Sequence, residues 1–525
     1  MSDVLLSALA GVLDPVSLIL VVLGTAAGIM VGALPGLTAT MAIALLVPFT
    51  FGMAPIHGLV LLGAIYCGAI YGGSFSAILI NTPGTPSAIA TTFDGFPLAQ
   101  KGEAYRAIVV ATLASVFGGL VGVGFLIFLS PPLARASLRF GPPEYFWLAM
   151  FGLTIIAAVS PRSTLKGLVG GGIGLLIATV GIAPIEGSVR YNFGTISLQG
   201  GISLIPALIG FFCIPEVFRM VEESRESGTV IPYRRQRRMV TRVFHALLRR
   251  PWLMIRSSLL GTLIGIIPGA GGNIAGLVSY NEAVRASANK DRFGKGAIEG
   301  VAASEAANNA SVSGALIPML TLGVPGAPPA AVLFGALLLQ GMRPGAELFT
   351  AHARITYAFL FSLILANLAM LPLGLYLGKA VARLMQKVKV QTMAPLIIFL
   401  SMIGSYSIYN NIADIYVMVV TGLLAFALRK AGFMPGPIVL GMILGPIAEQ
   451  GLMQSVLMGR ARESLTAVFF GRPISMILIA LTGLSVATPI VVQWRGRHSA
   501  VHHGPVHHGP VPPAREDEEE GGEDL

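Results

Sequence analysis

Glu299, Glu305, Asn308 and Asn309 are polar and ionisable side chains in an otherwise small and apolar stretch. A carboxylate that must sit in hydrocarbon is costly, so it marks a functional-site hypothesis together with whatever neutralises it. Glu305, Asn308 and Asn309 follow i, i+3, i+4 spacing and share one helical face, which could line a pathway or hold a cation. A cap or a structural pair is the alternative role for Glu305. Glu299 is six residues before Glu305, offset by about 120° around a helix. The two are not a tight acid–base pair. Asp94, before Gly95, reads as a turn residue, Asp414 as a helix cap and Glu449 as interfacial. His57, Tyr66 and Tyr71 read as packing residues.

The loops that must position these groups occur twice. Gly28-Ile-Met-Val-Gly32-Ala-Leu-Pro35-Gly36 returns as Gly261-Thr-Leu-Ile-Gly265-Ile-Ile-Pro268-Gly269. Asn81-Thr82-Pro83-Gly84-Thr85-Pro86 is answered by Gly323-Val324-Pro325-Gly326-Ala327-Pro328. Paired Gly/Pro breaks in apolar sequence point to a transporter's binding site, because unpaired backbone survives in a membrane only inside protein or around a wet cavity. The Gly-xxx-Gly pairs Gly28/Gly32 and Gly261/Gly265 are explained by close helix packing.

Composition sets the class. The chain is 54% hydrophobic and 11% charged, with mean hydropathy +0.77, where soluble domains carry about 25% charge. Many runs reach the roughly 20 apolar residues that a span needs. The reading is an all-α polytopic membrane protein with about 12–14 transmembrane or half-membrane helices, in two inverted-topology repeats broken at the Pro-Gly loops. Met1–Ala10 has neither Lys/Arg nor a small-residue cleavage site, so a removable signal peptide is not expected. Candidate spans are 16–34, 37–51, 57–80, 105–130, 145–160, 165–184 and 198–220, then 256–267, 270–280, 297–321, 352–381, 392–409, 413–431, 435–450 and 472–492. The segments at 37–51, 83–98, 270–280 and 326–341 are short enough to be half-helices.

Repeat 1 is expected at 1–221, a basic cytoplasmic linker at 222–255, repeat 2 at 256–493, and a disordered His-rich and acidic tail at 494–525. Net charge is +10, yet Arg219–Arg256 alone holds ten Lys/Arg against three Glu, and Arg515–Leu525 seven acids against one Arg. Basic sequence between two membrane halves belongs in the cytoplasm by the positive-inside rule. That places Lys101, Arg106, Arg162 and Lys166 inside as well. Cys67 and Cys213 lack metal spacing and imply no disulfide framework. Neither a nucleophile–base pair nor a Walker loop is present, so an enzyme is not expected.

Long blocks resemble the large membrane subunit of tripartite tricarboxylate transporters, the TctA family. Tyr71-Gly-Gly-Ser-Phe-Ser-Ala-Ile-Leu-Ile-Asn-Thr-Pro-Gly-Thr-Pro, Ala90-Thr-Thr-Phe-Asp94-Gly95 and Gly296-Ala-Ile-Glu299-Gly-Val-Ala-Ala-Ser-Glu305-Ala-Ala-Asn308-Asn309-Ala carry it. So do Gly314–Gly326, Asn410–Asp414 and Val439–Glu449. Ser304 departs from the family's usual Pro, and Ala39 and Thr40 depart after the first Pro-Gly-Leu.

The resemblance implies a multi-pass protein of a bacterial plasma membrane. It implies uptake of a di- or tricarboxylate with a periplasmic or extracytoplasmic binding protein and a small four-span membrane subunit. A sodium or proton gradient would drive alternating access, with neither cofactor nor nucleic-acid partner. The alternative is the permease of an ATP-driven importer, whose coupling motif Glu305-Ala-Ala superficially matches; Gly314 comes nine residues on, about one turn too far. An intramembrane enzyme is a third reading.

For a carboxylate substrate, helix N-termini after the second loops would supply backbone N–H donors. The expected substrate set is Asn81, Thr82, Pro83, Gly84, Thr85, Ser87, Thr321, Gly323, Pro325, Gly326 and Ala327. The expected coupling-ion set is Gly36, Thr38, Thr40, Gly269, Asn273, Glu305, Asn308 and Asn309. It joins broken-helix carbonyls to hydroxyl, amide and carboxylate oxygens, the ligands of a hard cation.

Overall fold

Proline starts helices throughout this chain. Pro15, Pro55, Pro251, Pro328 and Pro435 each sit in a first helical turn, where the missing N–H is one the helix could not have used. A computed structural model describes residues 2–158, 163–222, 230–232, 236, 238–388 and 390–499. It is 81% helical.

The first nine helices are α1 (Ser2–Leu13), α2 (Pro15–Ala33), α3 (Ala39–Thr50), α4 (Pro55–Ile80), α5 (Ile89–Leu98), α6 (Ala104–Ser137), α7 (Pro142–Ala158), α8 (Thr164–Ala178) and α9 (Leu204–Glu222). The next nine are α10 (Met239–Leu248), α11 (Pro251–Ile266), α12 (Gly271–Ala286), α13 (Ile298–Leu322), α14 (Pro328–Leu339), α15 (Ala353–Lys387), α16 (Val390–Ser407), α17 (Ile412–Lys430) and α18 (Pro435–Ala461). Two more follow, α19 (Leu465–Phe470) and α20 (Pro473–Ser499). A short antiparallel hairpin, β1 (Gly181–Ile182) with β2 (Val189–Arg190), interrupts the stretch between α8 and α9. Among the described residues seven helical stretches are long and apolar enough to cross a membrane, and eight apolar helices of 10–17 residues accompany them.

Some boundaries differ from expectation. The span expected at 165–184 stops at Ala178, because Gly181, at φ 109°, turns the chain into the hairpin. The linker expected at 222–255 is partly outside the described residues; its later part forms α10, and α11 has begun by Pro251. α20 continues six residues past the expected boundary, and the rest of the tail lies outside the described residues. Asp414 is not the cap of α17: Asn411 is, accepting from the Ala413 N–H, and Asp414 is buried in the first turn.

Glycine sets which helices touch. A methyl group at Gly28, Gly32, Gly68 or Gly72 would strike the carbonyl of Ile65, Ala69, Thr25 or Ile29, so α2 and α4 meet backbone to backbone. Gly261, Gly265 and Gly314 do the same between α11 and α13, and Gly118 and Gly122 press α6 onto Ala306 and Ala310 of α13. The two sets of nine helices share one packing plan with partners exchanged. α4 and α2 pack on α15, while α13 and α11 pack on α6. Likewise α3 meets α14 as α12 meets α5, and α9 meets α17 as α18 meets α8.

Directions follow from the ends. The α14 end meets the α3 end beside the start of α4, through Gln340 Nε2 donating to the Thr50 carbonyl at 3.1 Å. At the other end of α4, Gly95 of α5 lies against Ile78. There Lys101 Nζ donates to the Lys295 carbonyl at 2.6 Å, just before α13 begins. α4 and α13 therefore run in opposite directions. α20 is fastened by the buried Glu144, which takes Arg472 Nη1 and Ser475 Oγ, each at 2.7 Å.

Candidate functional site

The two second loops share one geometry. Asn81 (φ 57°) and Gly323 (φ 72°) end α4 and α13 in the left-handed region, the usual way a helix closes its last carbonyls. Thr82 N–H then reaches the Ser76 carbonyl as Val324 N–H reaches that of Pro318. Gly84 N–H reaches Gly73 as Gly326 N–H reaches Ala315. Gly84 presses on the Gly32 carbonyl and Gly326 on that of Gly265, which leaves no room for a side chain. The first loops also match, with Gly36 at φ 92° and Gly269 at φ 83°.

The loops converge on the start of α12. Gly269 N–H donates to the Gly326 carbonyl at 2.9 Å. A Cβ on Gly271 would touch Ala327; one on Gly272 would lie 3.0 Å from Ser87 Cβ and 2.6 Å from Asn308 Oδ1. Bare backbone thus threads between the loop of the first half and the loop of the second. Ser87 is the middle residue of a 3₁₀ turn (Pro86–Ala88) leading into α5, and its hydroxyl lies 3.1 Å from Thr85 Oγ1.

Beside this crossing, α13 presents its polar face. Glu305 is fully buried. Thr91 of α5 donates to its Oε1, and Ser115 of α6 donates to its Oε2 at 3.0 Å. Asn309 Nδ2 donates to Ser115 Oγ at 2.8 Å, and Ser304 Oγ lies 3.1 Å from Thr91 Oγ1. Two hydroxyls satisfy the carboxylate's hydrogen bonding but bring no positive charge, and burying a lone charge is expensive. Asn308 is also fully buried, and among the described residues neither its amide nitrogen nor its amide oxygen has a partner; the Asn309 oxygen lacks one too. Buried amides are nearly always hydrogen-bonded, so the Asn308 amide marks this cluster as a candidate site. With one carboxylate among amide and hydroxyl oxygens, it suits a hard monovalent cation or a proton rather than a thiophilic metal.

The expected residues divide. Thr85, Ser87, Gly326, Ala327, Gly269, Glu305, Asn308 and Asn309 lie at or beside the crossing. Pro83, Pro325 and Gly84 shape the loops around it. Gly36, Thr38 and Thr40 belong to the matching loop of the first half: Gly36 lies against Met220, and Thr38 caps α3 by accepting from Met41 N–H. Asn273 is exposed on α12, and Asn81 and Thr82 are exposed in their loop. Thr321 donates to the Ile317 carbonyl of its own helix. α3, which carries Thr40 and is capped by Thr38, packs on α4, α14, α9 and α16, whereas Glu305 is met by α5 and α6.

Sequence reasoning missed Thr91 and Ser115 as partners of Glu305, and Ser304 as the neighbour of Thr91. Thr91 stood in a noted block, but nothing local to Ser115 points to a carboxylate nearly two hundred residues away. Asp94 is also corrected. It is buried within α5, not in a turn, and accepts from Gly296 N–H (2.8 Å), Ala297 N–H (2.7 Å) and Tyr280 Oη (2.9 Å). It caps α13 from the other half of the chain.

In the register that aligns Gly84 with Gly326, the positions of Glu305, Asn308 and Asn309 are taken in α4 by Gly63, Tyr66 and Cys67. The polar cluster exists on one side of the duplicated plan only.

The chain is 36% identical over 497 residues, 93% of its length and 96% of the relative's, to the "Uncharacterized 52.8 kDa protein in TAR-I ttuC' 3'region" of Agrobacterium vitis. It is 34% identical over 241 residues, 46% of its length and 98% of the relative's, to the "Uncharacterized protein in TAR-II ttuC' 3'region" of the same organism. No solved structure matches. The model of the tripartite tricarboxylate transporter TctA family matches residues 18–440, loops and polar cluster included, and the chain belongs to that family.

Proposed function

We propose that the chain, as the membrane subunit of a tripartite carboxylate transporter, imports a di- or tricarboxylate by gradient-driven alternating access. A binding protein would deliver the substrate, and a small four-span subunit would accompany the chain in the membrane. The observation that carries the coupling is the buried Glu305, which among the described residues has no cationic partner and lies next to an amide with none at all. In this reading a sodium ion or proton neutralises Glu305, and the N-terminal turn of α5 with Ser87 and Thr85 takes a substrate carboxylate. Asn308 lies between the two, and an amide offers both an oxygen for a cation and N–H donors for an anion. One side chain thus makes each ligand's binding depend on the other, the requirement for coupled transport. The burial of every group in the cluster supports an occluded conformation, from which alternate opening would occur.

The duplicated, opposed helices support two inverted-topology repeats, 1–221 and 256–493, around a cytoplasmic linker. The ATP-importer reading is disfavoured because Glu305-Ala-Ala is buried within α13, not on a loop where an ATPase could dock.

The test is uptake of labelled di- and tricarboxylates into proteoliposomes holding this chain, the small subunit and the binding protein, under a sodium or proton gradient without ATP. Gradient- and binding-protein-dependent uptake is expected. Uptake only after an ATPase is added would overturn the reading.

A further inference from the structure

α10 lies outside the site and has three distinct sides. Val243 and Leu247 are buried, holding the helix to α6. Next to them Phe244 and Leu248 stand 48% and 58% exposed, and Trp252, just after the helix, 70%. The third side carries Arg238, Arg242, His245 and Arg249, spaced i, i+4, i+7, i+11 along a single stripe. They line a hollow of about 550 Å³ together with Thr241 and Ala246. Arg250, at the end of the helix, is committed to Glu299 at 2.7 Å. Among the described residues Arg238, Arg242 and Arg249 make neither an ion pair nor a hydrogen bond through their side chains.

The helix sits where α13 begins, on the face that also carries Lys101, Lys290, Arg292 and Lys295. It runs through Pro251 directly into the apolar α11. An exposed aromatic and aliphatic side adjoining a basic side, on a helix lying against a membrane bundle, is the pattern of a helix in the interface plane. A soluble anion would satisfy the arginines and leave Phe244, Leu248 and Trp252 in water. A phospholipid satisfies both sides, its phosphate on the stripe and its acyl chains along the apolar side.

We propose that α10 lies in the cytoplasmic headgroup layer and that Arg238, Arg242 and Arg249 bind the phosphate of an anionic phospholipid. The acidic segment Arg515–Leu525 of this chain is the rival occupant by charge, but it offers nothing to cover the apolar side.

The chain has three tryptophans, Trp147, Trp252 and Trp494, so Trp147→Phe with Trp494→Phe leaves Trp252 as reporter. Full-length protein in bilayers would be titrated with acyl-brominated phosphatidylglycerol or phosphatidylcholine at equal mole fraction. Trp252 quenching should show a preference for phosphatidylglycerol of about tenfold. Arg238→Gln/Arg242→Gln/Arg249→Gln should remove the preference while both lipids still quench, which shows that the helix remains in the interface. Arg242→Lys should keep most of it. Equal quenching by the two lipids, or a preference that survives the triple variant, overturns the proposal. So does loss of the preference on adding inorganic phosphate, the result for a soluble-anion site, or a preference that appears only after the tail acids are changed to Gln/Asn, the result for a site the tail occupies.

Discussion

Asn308 and Glu305 differ in what they contribute to stability, and this separates structure from function one residue at a time. Among the described residues Asn308 has no side-chain hydrogen bond to lose, so Asn308→Ala should shift stability by less than about 1 kcal/mol. Uptake should nevertheless fall roughly tenfold or more, equivalent to about 1.4 kcal/mol of lost interaction. Thermal melting beside proteoliposome uptake checks both. A large fall in melting temperature would make Asn308 a packing residue. Glu305→Gln keeps the size and one acceptor oxygen, and its NH2 can donate to the other hydroxyl, while a buried charge is removed. The folded yield should hold or rise. Gradient-driven accumulation should be lost, whereas substrate exchange at equal ion concentrations should persist. Accumulation with unchanged ion dependence would take Glu305 out of the coupling role.

Among elements, the half-helices are held by contacts that tolerate little change. α5 is anchored at its far end by Asp94, which satisfies two N–H groups at the start of α13 and favours the positive end of its dipole. Asp94→Ala strands those donors in a buried place and should cost about 3 kcal/mol, read as a lower melting temperature and poorer folded yield. Asp94→Asn keeps one acceptor and should cost markedly less; equal losses would argue against a capping role. At the loops, Gly84→Val and Gly326→Val force a side chain onto the Gly32 and Gly265 carbonyls. Overpacking of this kind costs about 1–3 kcal/mol, so transport should be lost together with stability. Ser87→Ala is the cleaner probe of binding there, because it removes a hydroxyl and leaves the backbone alone.

At the scale of the molecule, two sets of nine helices complete each other, and most basic residues near the ends of α5, α12 and α13 fall on one face. In the proposed arrangement the positive-inside rule would put that face in the cytoplasm. Cysteine at the exposed Lys295 should react with an impermeant maleimide only from the cytoplasmic side, and cysteine at the exposed Arg354 only from the opposite side. Native Cys67 and Cys213 are buried and should stay silent. Labelling of both positions from one side would break the inverted arrangement. The asymmetry within the duplication has a consequence for stoichiometry. Since Gly63, Tyr66 and Cys67 replace Glu305, Asn308 and Asn309 in the first half, the plan offers one carboxylate site per chain.

Much of this was legible in the residues. Hydropathy and Pro-Gly breaks act over one helix or one turn, so the membrane class, the short helices α3, α5, α12 and α14, the duplicated loops and the family resemblance could all be read in order along the chain. The partners of Glu305 could not. Thr91 and Ser115 reach it because glycines let α6 and α13 approach to backbone contact and because α5 of one half is capped onto α13 of the other. The same long-range pairing moved Asp94 from turn to cap and packed α3, with Thr38 and Thr40, on α4, α14, α9 and α16. Local chemistry decided where helices break; only the packing of opposed halves decided which broken ends meet, because backbone contact between distant helices depends on both surfaces at once.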